Sequence, residues 1–148
     1  MSPRNSSRPS VSEVAVSGRR LPISRSLVQR VVQTVLRRER RDAMISVTFL
    51  GRDSMRRLNA EHKGYDRPTD VLTFALTDPA GHIVGDVYVC PWMARQEAGA
   101  RGIAFREELI RLIVHGTLHA LGRDHPEGPE RTRSAMWRRQ ERYVEALA

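Results

Sequence analysis

The sequence predicts a single α/β domain: one mixed sheet of about four strands packed by about five helices. Three observations point to it. At 148 residues the chain is long enough for one sizeable core and too short for two. Apolar stretches with strand character alternate with stretches at helical spacing, in the order β, α, β, α, β, β, α, α, α. The two central strand-like stretches are separated only by the turn Asp78-Pro79-Ala80-Gly81. That connection is short enough for a hairpin, so the pair is expected to be antiparallel inside an otherwise crossover-connected sheet.

Residues 1–10, rich in Ser, Pro and Arg, have too little to bury and are expected to form a disordered tail ahead of a domain spanning 11–148. Val14 and Val16 alternate with smaller residues and, with Val11, predict a short edge strand. Ser24 is placed to cap a helix in which Leu27, Val28, Val31, Val32, Val35 and Leu36 recur at helical spacing. The other face of that helix carries Arg25, Arg30, Arg37 and Arg38 and runs on to Arg40 and Arg41, a basic strip suited to RNA backbone or to solvent. The apolar, β-branched run Ile45 to Leu50 predicts a strand, and Asp53 to about Glu61 a short helix burying Met55 and Leu58. Thr69 to Leu76 and Ile83 to Val89 are the hairpin strands, bounded by Pro68 and Pro91. Pro91 suits the first turn of a helix that ends near Gly102, because its missing N–H has no partner there anyway. Phe105 to Val114 reads as a helix too apolar for a surface. After a loop from His125 to Gly128, Pro129 is predicted to open the last helix, with Met136, Gln140, Tyr143 and Leu147 on one face.

The buried helix runs into His115-Gly116-Thr117-Leu118-His119-Ala120-Leu121-Gly122-Arg123-Asp124-His125, which holds three of the five histidines. His115 and His119 are four apart and project from one helix face. Gly122 supplies a left-handed stop, after which His125 can swing in from the loop. Glu108 and Arg111 share the histidines' side, so one polar stripe runs along an apolar helix and needs partners. Three imidazoles with an open fourth position describe a catalytic zinc site rather than a closed structural one, and one zinc per chain is expected. Nickel, copper and iron also suit imidazole. A zinc so held polarises oxygen and acidifies bound water, which implies hydrolysis. The HxxxHxxGxxH spacing also matches the metzincin metalloprotease helix, HExxHxxGxxH, but Gly116 stands where that pattern has its catalytic Glu. Asp124, Glu108 or a substrate phosphate would have to take that role, or metal-bound hydroxide would act unaided.

A net charge of +8 favours a polyanionic partner. Lys63 is the only lysine, the other basic residues being arginine. Cys90 is the only cysteine, which excludes an intramolecular disulfide and a thiolate metal cluster and fits a reducing cytosol. No apolar run approaches a membrane span and the start lacks the apolar core of a secretory signal, so a cytoplasmic location without a membrane partner is expected.

The stretch HGTLHALGRDH resembles the HGxLHLxGyDH signature of the YbeY family of bacterial endoribonucleases. The resemblance extends to Leu58-Asn59, to Pro68-Thr69-Asp70-Val71-Leu72-Thr73-Phe74, to Gly85-Asp86-Val87 and to Met136 of the final helix. It implies a single-strand-specific, zinc-dependent endoribonuclease that acts in ribosomal RNA maturation, notably at the 3′ end of the small-subunit RNA, and in ribosome quality control. By position, His115, His119 and His125 carry over as metal ligands. Partners implied are single-stranded ribosomal RNA, the ribosome or its small subunit, and a ribosomal protein or GTPase. Where the family reads Tyr-Arg after Leu-Asn, with the Arg implicated in activity, this chain reads His62-Lys63. Lysine keeps the charge but loses the planar fork that grips a phosphate in two places. Lys63 and Asp124 are accordingly the catalytic candidates, and Arg67, Arg25 and Arg30 the substrate-binding ones. Two other readings stay open: a metallopeptidase-like hydrolase, and a noncatalytic ribosome assembly factor whose metal is structural.

Overall fold

The computed structural model describes residues 12–148; the expected tail over 1–10, and Val11 of the first strand, lie outside the described residues. The strands are β1 (Glu13–Ser17), β2 (Ala43–Phe49), β3 (Val71–Thr77) and β4 (Ile83–Val89). They form one sheet in the order β1-β2-β4-β3. β1, β2 and β4 are parallel neighbours, and β3 pairs antiparallel with β4, as the short turn requires. The helices are α1 (Arg25–Glu39), α2 (Arg52–Lys63), α3 (Pro91–Arg101), α4 (Phe105–Ala120) and α5 (Ala135–Leu147), with one 3-10 segment at Gly128–Arg133. Among the described residues no helix is long and apolar enough to cross a membrane.

Local chemistry explains most of the boundaries. The Ser24 hydroxyl accepts the Leu27 N–H at 3.1 Å and starts α1. Gly64 and Gly102 end α2 and α3 in the left-handed conformation. In β2 and β4 every second residue is buried, which is the pleat periodicity of a sheet covered more fully on one face. That face carries Val16, Val47 and Val87 in one row and Phe49 and Val89 in another, against α1 and α4. The opposite face is closed at one end by α2, whose Met55 and Leu58 meet Leu72, Cys90 and Tyr88.

Pro129 does not open the last helix. It sits in the 3-10 segment, and α5 begins at Ala135 because Ser134 takes extended backbone angles and caps it, accepting the Trp137 N–H at 3.1 Å. The hairpin strand likewise starts at Val71 rather than Thr69. The Asp70 carbonyl is used instead to receive the Cys90 N–H at 2.9 Å.

α4 is the central element. Leu109, Ile110, Ile113 and Leu118 have essentially no exposed surface, and each such side chain contributes roughly 1.5–3 kcal/mol of burial. The helix lies unusually close to the sheet. A Cβ on Gly116 would fall 2.4 Å from Val87 Cγ1, and a Cβ on Gly85 would fall 2.9 Å from the Ala120 Cβ. Gly116 is therefore required by helix–sheet packing, and a longer side chain there has nowhere to go. Gly116→Ala is expected to destabilise the fold by about 1–3 kcal/mol through overpacking, read as a lower urea midpoint at unchanged m-value.

Candidate metal centre

His115 and His119 project from the last two turns of α4, and His125 arrives from the loop after it. Their candidate ligand atoms all lie within 4.8 Å of one another. The ring centroids form a near-equilateral triangle of 4.6, 4.9 and 5.1 Å. Ligand nitrogens around a tetrahedral zinc are about 3.4 Å apart, so the three rings are already gathered at the scale of one ion.

Each ring is held by an oxygen or backbone partner. His115 Nδ1 lies 2.6 Å from Gln140 Oε1, and His125 Nδ1 lies 3.0 Å from the Pro126 carbonyl. The His119 ring bonds the backbone of Arg123. One nitrogen per ring is thus occupied and the other left for a metal, the usual outer arrangement of a histidine site. Burial pushes the His115 pKa down to about 4 and lowers that of His119. Both are therefore neutral ligands at neutral pH. Among the described residues no Cys, Asp or Glu joins the cluster as a fourth ligand. A donor set of three imidazoles fits a metal with an open coordination position.

Behind His115 stands a chain of polar groups. Gln140, almost fully buried, passes its Nε2 hydrogen to Glu141 at 3.0 Å. Glu141 takes two hydrogen bonds from Arg111, at 2.8 and 2.9 Å. Arg111 also reaches Glu108 at 3.0 Å and Glu107 at 2.9 Å. Burial alone would raise the Glu141 pKa, but hydrogen bonds from Arg111 and Gln140 bring it below the usual range. Burial keeps that of Glu108 raised despite Arg111. These contacts answer the polar stripe read along α4: its two charged members pair with each other and with α5.

The histidines open into a cleft of about 890 Å³ whose walls include Lys63, Arg67, Asp124 and Arg131. Of the residues singled out by sequence, the three histidines, Lys63, Arg67 and Asp124 meet in this one cleft. Arg25 and Arg30 do not line it. Both are exposed on α1, where Arg25 donates to the Val16 carbonyl. The Asp124 Oδ1 receives the His125 N–H at 2.8 Å, so this acid shapes the ligand loop. Gln140, Asn59, Tyr65 and Arg131 were not singled out as site residues. Gln140 had one usable signal, an amide on the otherwise apolar face of α5. The metzincin glutamate position, in contrast, is closed to any side chain by Val87.

Known proteins resemble this chain in sequence and in fold. The profile of the family endoribonuclease YbeY matches residues 17–148. An endoribonuclease YbeY of Thermotoga maritima is 34% identical over 116 residues, covering 78% of this chain and 75% of that protein. One from Desulfitobacterium hafniense is 39% identical over 116 residues, covering 72% of each. A solution structure from Thermotoga maritima superposes with a TM-score of 0.65 at 30% identity, covering 91% of this chain and 89% of that one.

Two outcomes follow from the polar chain behind His115. Gln140→Leu is expected to lower zinc affinity by roughly 10- to 100-fold, measured by chelator competition, because the His115 ring loses the acceptor that orients it. Arg111→Ala is expected to cost about 3 kcal/mol in denaturant unfolding, since it leaves the buried Glu108 carboxylate with only the longer ion pair to Arg101 at 3.4 Å and unpairs the half-buried Glu107 and Glu141.

Proposed function

We propose, from the premise that the chain belongs to the endoribonuclease YbeY family, that it is a metal-dependent endoribonuclease cleaving single-stranded RNA. The observation that carries this reading is the convergence of three imidazoles in an open cleft that also holds Lys63, Arg67 and Asp124. The metal is zinc, one per chain, with His115, His119 and His125 as its ligands. When bound it supplies a Lewis acid for a phosphoryl oxygen and lowers the pKa of water.

The remaining work falls to the chain's own groups. A phosphodiester undergoing attack gathers negative charge on its oxygens, and Lys63 and Arg67, which line the cleft, offset it in this reading. Asp124 accepts the proton of the attacking water, with its Oδ1 already held by the His125 N–H. The new P–O bond forms as the bond to the leaving ribose oxygen breaks, and that oxygen takes up one proton from solvent while Asp124 returns its own. Arg25 and Arg30 hold the RNA backbone outside the cleft, as part of the basic strip of α1. The substrate is ribosomal RNA, the 3′ end of the small-subunit RNA in particular, and the setting is ribosome maturation and quality control in the cytoplasm. The ribosome or its small subunit, with a ribosomal protein or a GTPase, is the partner. Family resemblance and the net charge of +8 support these assignments. A peptidase reading has little to recommend it, because a glutamate cannot be accommodated at position 116.

Elemental mass spectrometry paired with cleavage of an unpaired RNA tests the proposal on wild type and His119→Ala. The expected result is near one zinc per chain with nuclease activity, both lost in the variant. Stoichiometric zinc with no RNA cleavage would instead favour an assembly factor with a structural metal. Lys63→Ala is expected to slow cleavage at least about tenfold, and Lys63→Arg to restore it, with metal content unchanged in both.

A further inference from the structure

α2 ends at the cleft, and its last turn leads into a short, well-anchored loop. Gly64 takes the left-handed conformation, with φ of 79°, and turns the chain back after Lys63. Two hydrogen bonds then fix the loop. The Arg67 N–H donates to the Tyr65 carbonyl at 2.9 Å, and the amide of buried Asn59 donates to the Arg67 carbonyl at 2.8 Å. Arg56 adds an ion pair to Asp66 at 2.8 Å. The loop so held presents Tyr65, which is 55% exposed and lines the same cleft as the three histidines. The Arg67 guanidinium carbon lies 4.8 Å from the Tyr65 ring centroid. Arg67 has no carboxylate partner among the described residues. The other strongly exposed aromatic side chain, Trp92 at the start of α3, lies under Arg52 and does not line this cleft.

An exposed aromatic ring commonly has no role. This one is different in its setting: a buried amide is committed to holding the loop, an unpaired guanidinium lies over the ring, and the loop forms a wall of the candidate catalytic cleft. We propose that Tyr65 and Arg67 form a stacking subsite for one unpaired nucleobase of an RNA strand whose phosphate lies at the histidines. The inference rests on the endoribonuclease reading and deepens it. Stacking on tyrosine is tolerant of sequence because every base has a π-face, and a guanidinium plane adds to it. A base inside an A-form helix is already stacked between its neighbours and cannot be offered to the ring without unpairing. The subsite thus makes the enzyme select unpaired RNA without reading sequence.

The test uses the full-length, zinc-loaded protein with an unpaired RNA oligonucleotide, the same sequence held in a hairpin stem, and inorganic polyphosphate as a charge-only probe. Tyr65→Ala is expected to raise KM for the unpaired RNA about tenfold, with the loss falling on KM rather than kcat and the preference over the stem reduced. Tyr65→Phe should behave like wild type. Tyr65→Trp in a Trp92→Phe background should bind the RNA with more quenching of tryptophan emission than the Trp92→Phe protein itself, in which Trp137 is the remaining tryptophan, and show no added quenching with polyphosphate. If Tyr65→Ala retains the wild-type KM and preference while wild type cleaves RNA, the subsite is wrong and the endoribonuclease reading stands. If wild type cleaves neither RNA, that reading falls and the subsite with it.

Discussion

The close contact of α4 with β4 is the constraint on which the rest of the molecule depends. Gly116 rests on Val87, and Ala120 rests on Gly85. These two residues of α4 are one turn apart and fix which side of the helix faces the sheet. His115 and His119 each precede one of them in the chain, so both lie about 100° around the axis from the sheet-facing line. They emerge where α4 meets the cleft beside β3, and Thr73 of β3 donates to the Gly116 carbonyl at 3.4 Å. The face that carries the histidines thus inherits its direction from apolar packing. Loss of room at position 116 also separates this helix from the metzincin pattern it shares in spacing.

The second support is α5, which holds both ends of the histidine segment through buried charge. At one end Arg111, Glu141 and Gln140 form the line that orients His115. At the other, the nearly buried carboxylate of Glu39 accepts Tyr143 at 2.7 Å, Arg139 at 3.1 Å and Arg123 at 2.8 Å. Burial would raise the Glu39 pKa, but hydrogen bonds from Tyr143 and Arg123 bring it below the ordinary carboxylate range. Arg123 lies between His119 and His125, so the loop that delivers the third histidine is tied to α1 and α5. Burying ions is costly unless every partner is in place. Their concentration around one helix suits a site that must be held still more than a fold that needs extra stability.

Two groups of cations differ in where they lie. The α1 strip is exposed and away from the cleft, whereas Lys63, Arg67 and Arg131 line it. Charge on α1 can attract a polyanion over a distance set by ionic strength. Only the cations in the cleft are near the atoms on which chemistry would act.

Periodicity and local punctuation were enough to read the strands, the hairpin, the Ser24 cap and the buried character of α4, because each depends on residues close in sequence. The histidine segment was legible for the same reason: two of its histidines share a helix face and the third follows within one loop. Where Pro129 misled, a stronger local cap at Ser134 decided the start of α5. What sequence could not determine were contacts made across the fold. Gln140 meets His115 from another helix, and Tyr65 and Arg67 reach the cleft through a loop anchored by Asn59. Arg25 and Arg30 stay outside because α1 packs where it does. Gly116 was visible as a missing glutamate, but only the distance to Val87 shows that packing, and not chemistry alone, requires it. Such positions are set by how elements are stacked, and that depends on side chains far apart along the chain.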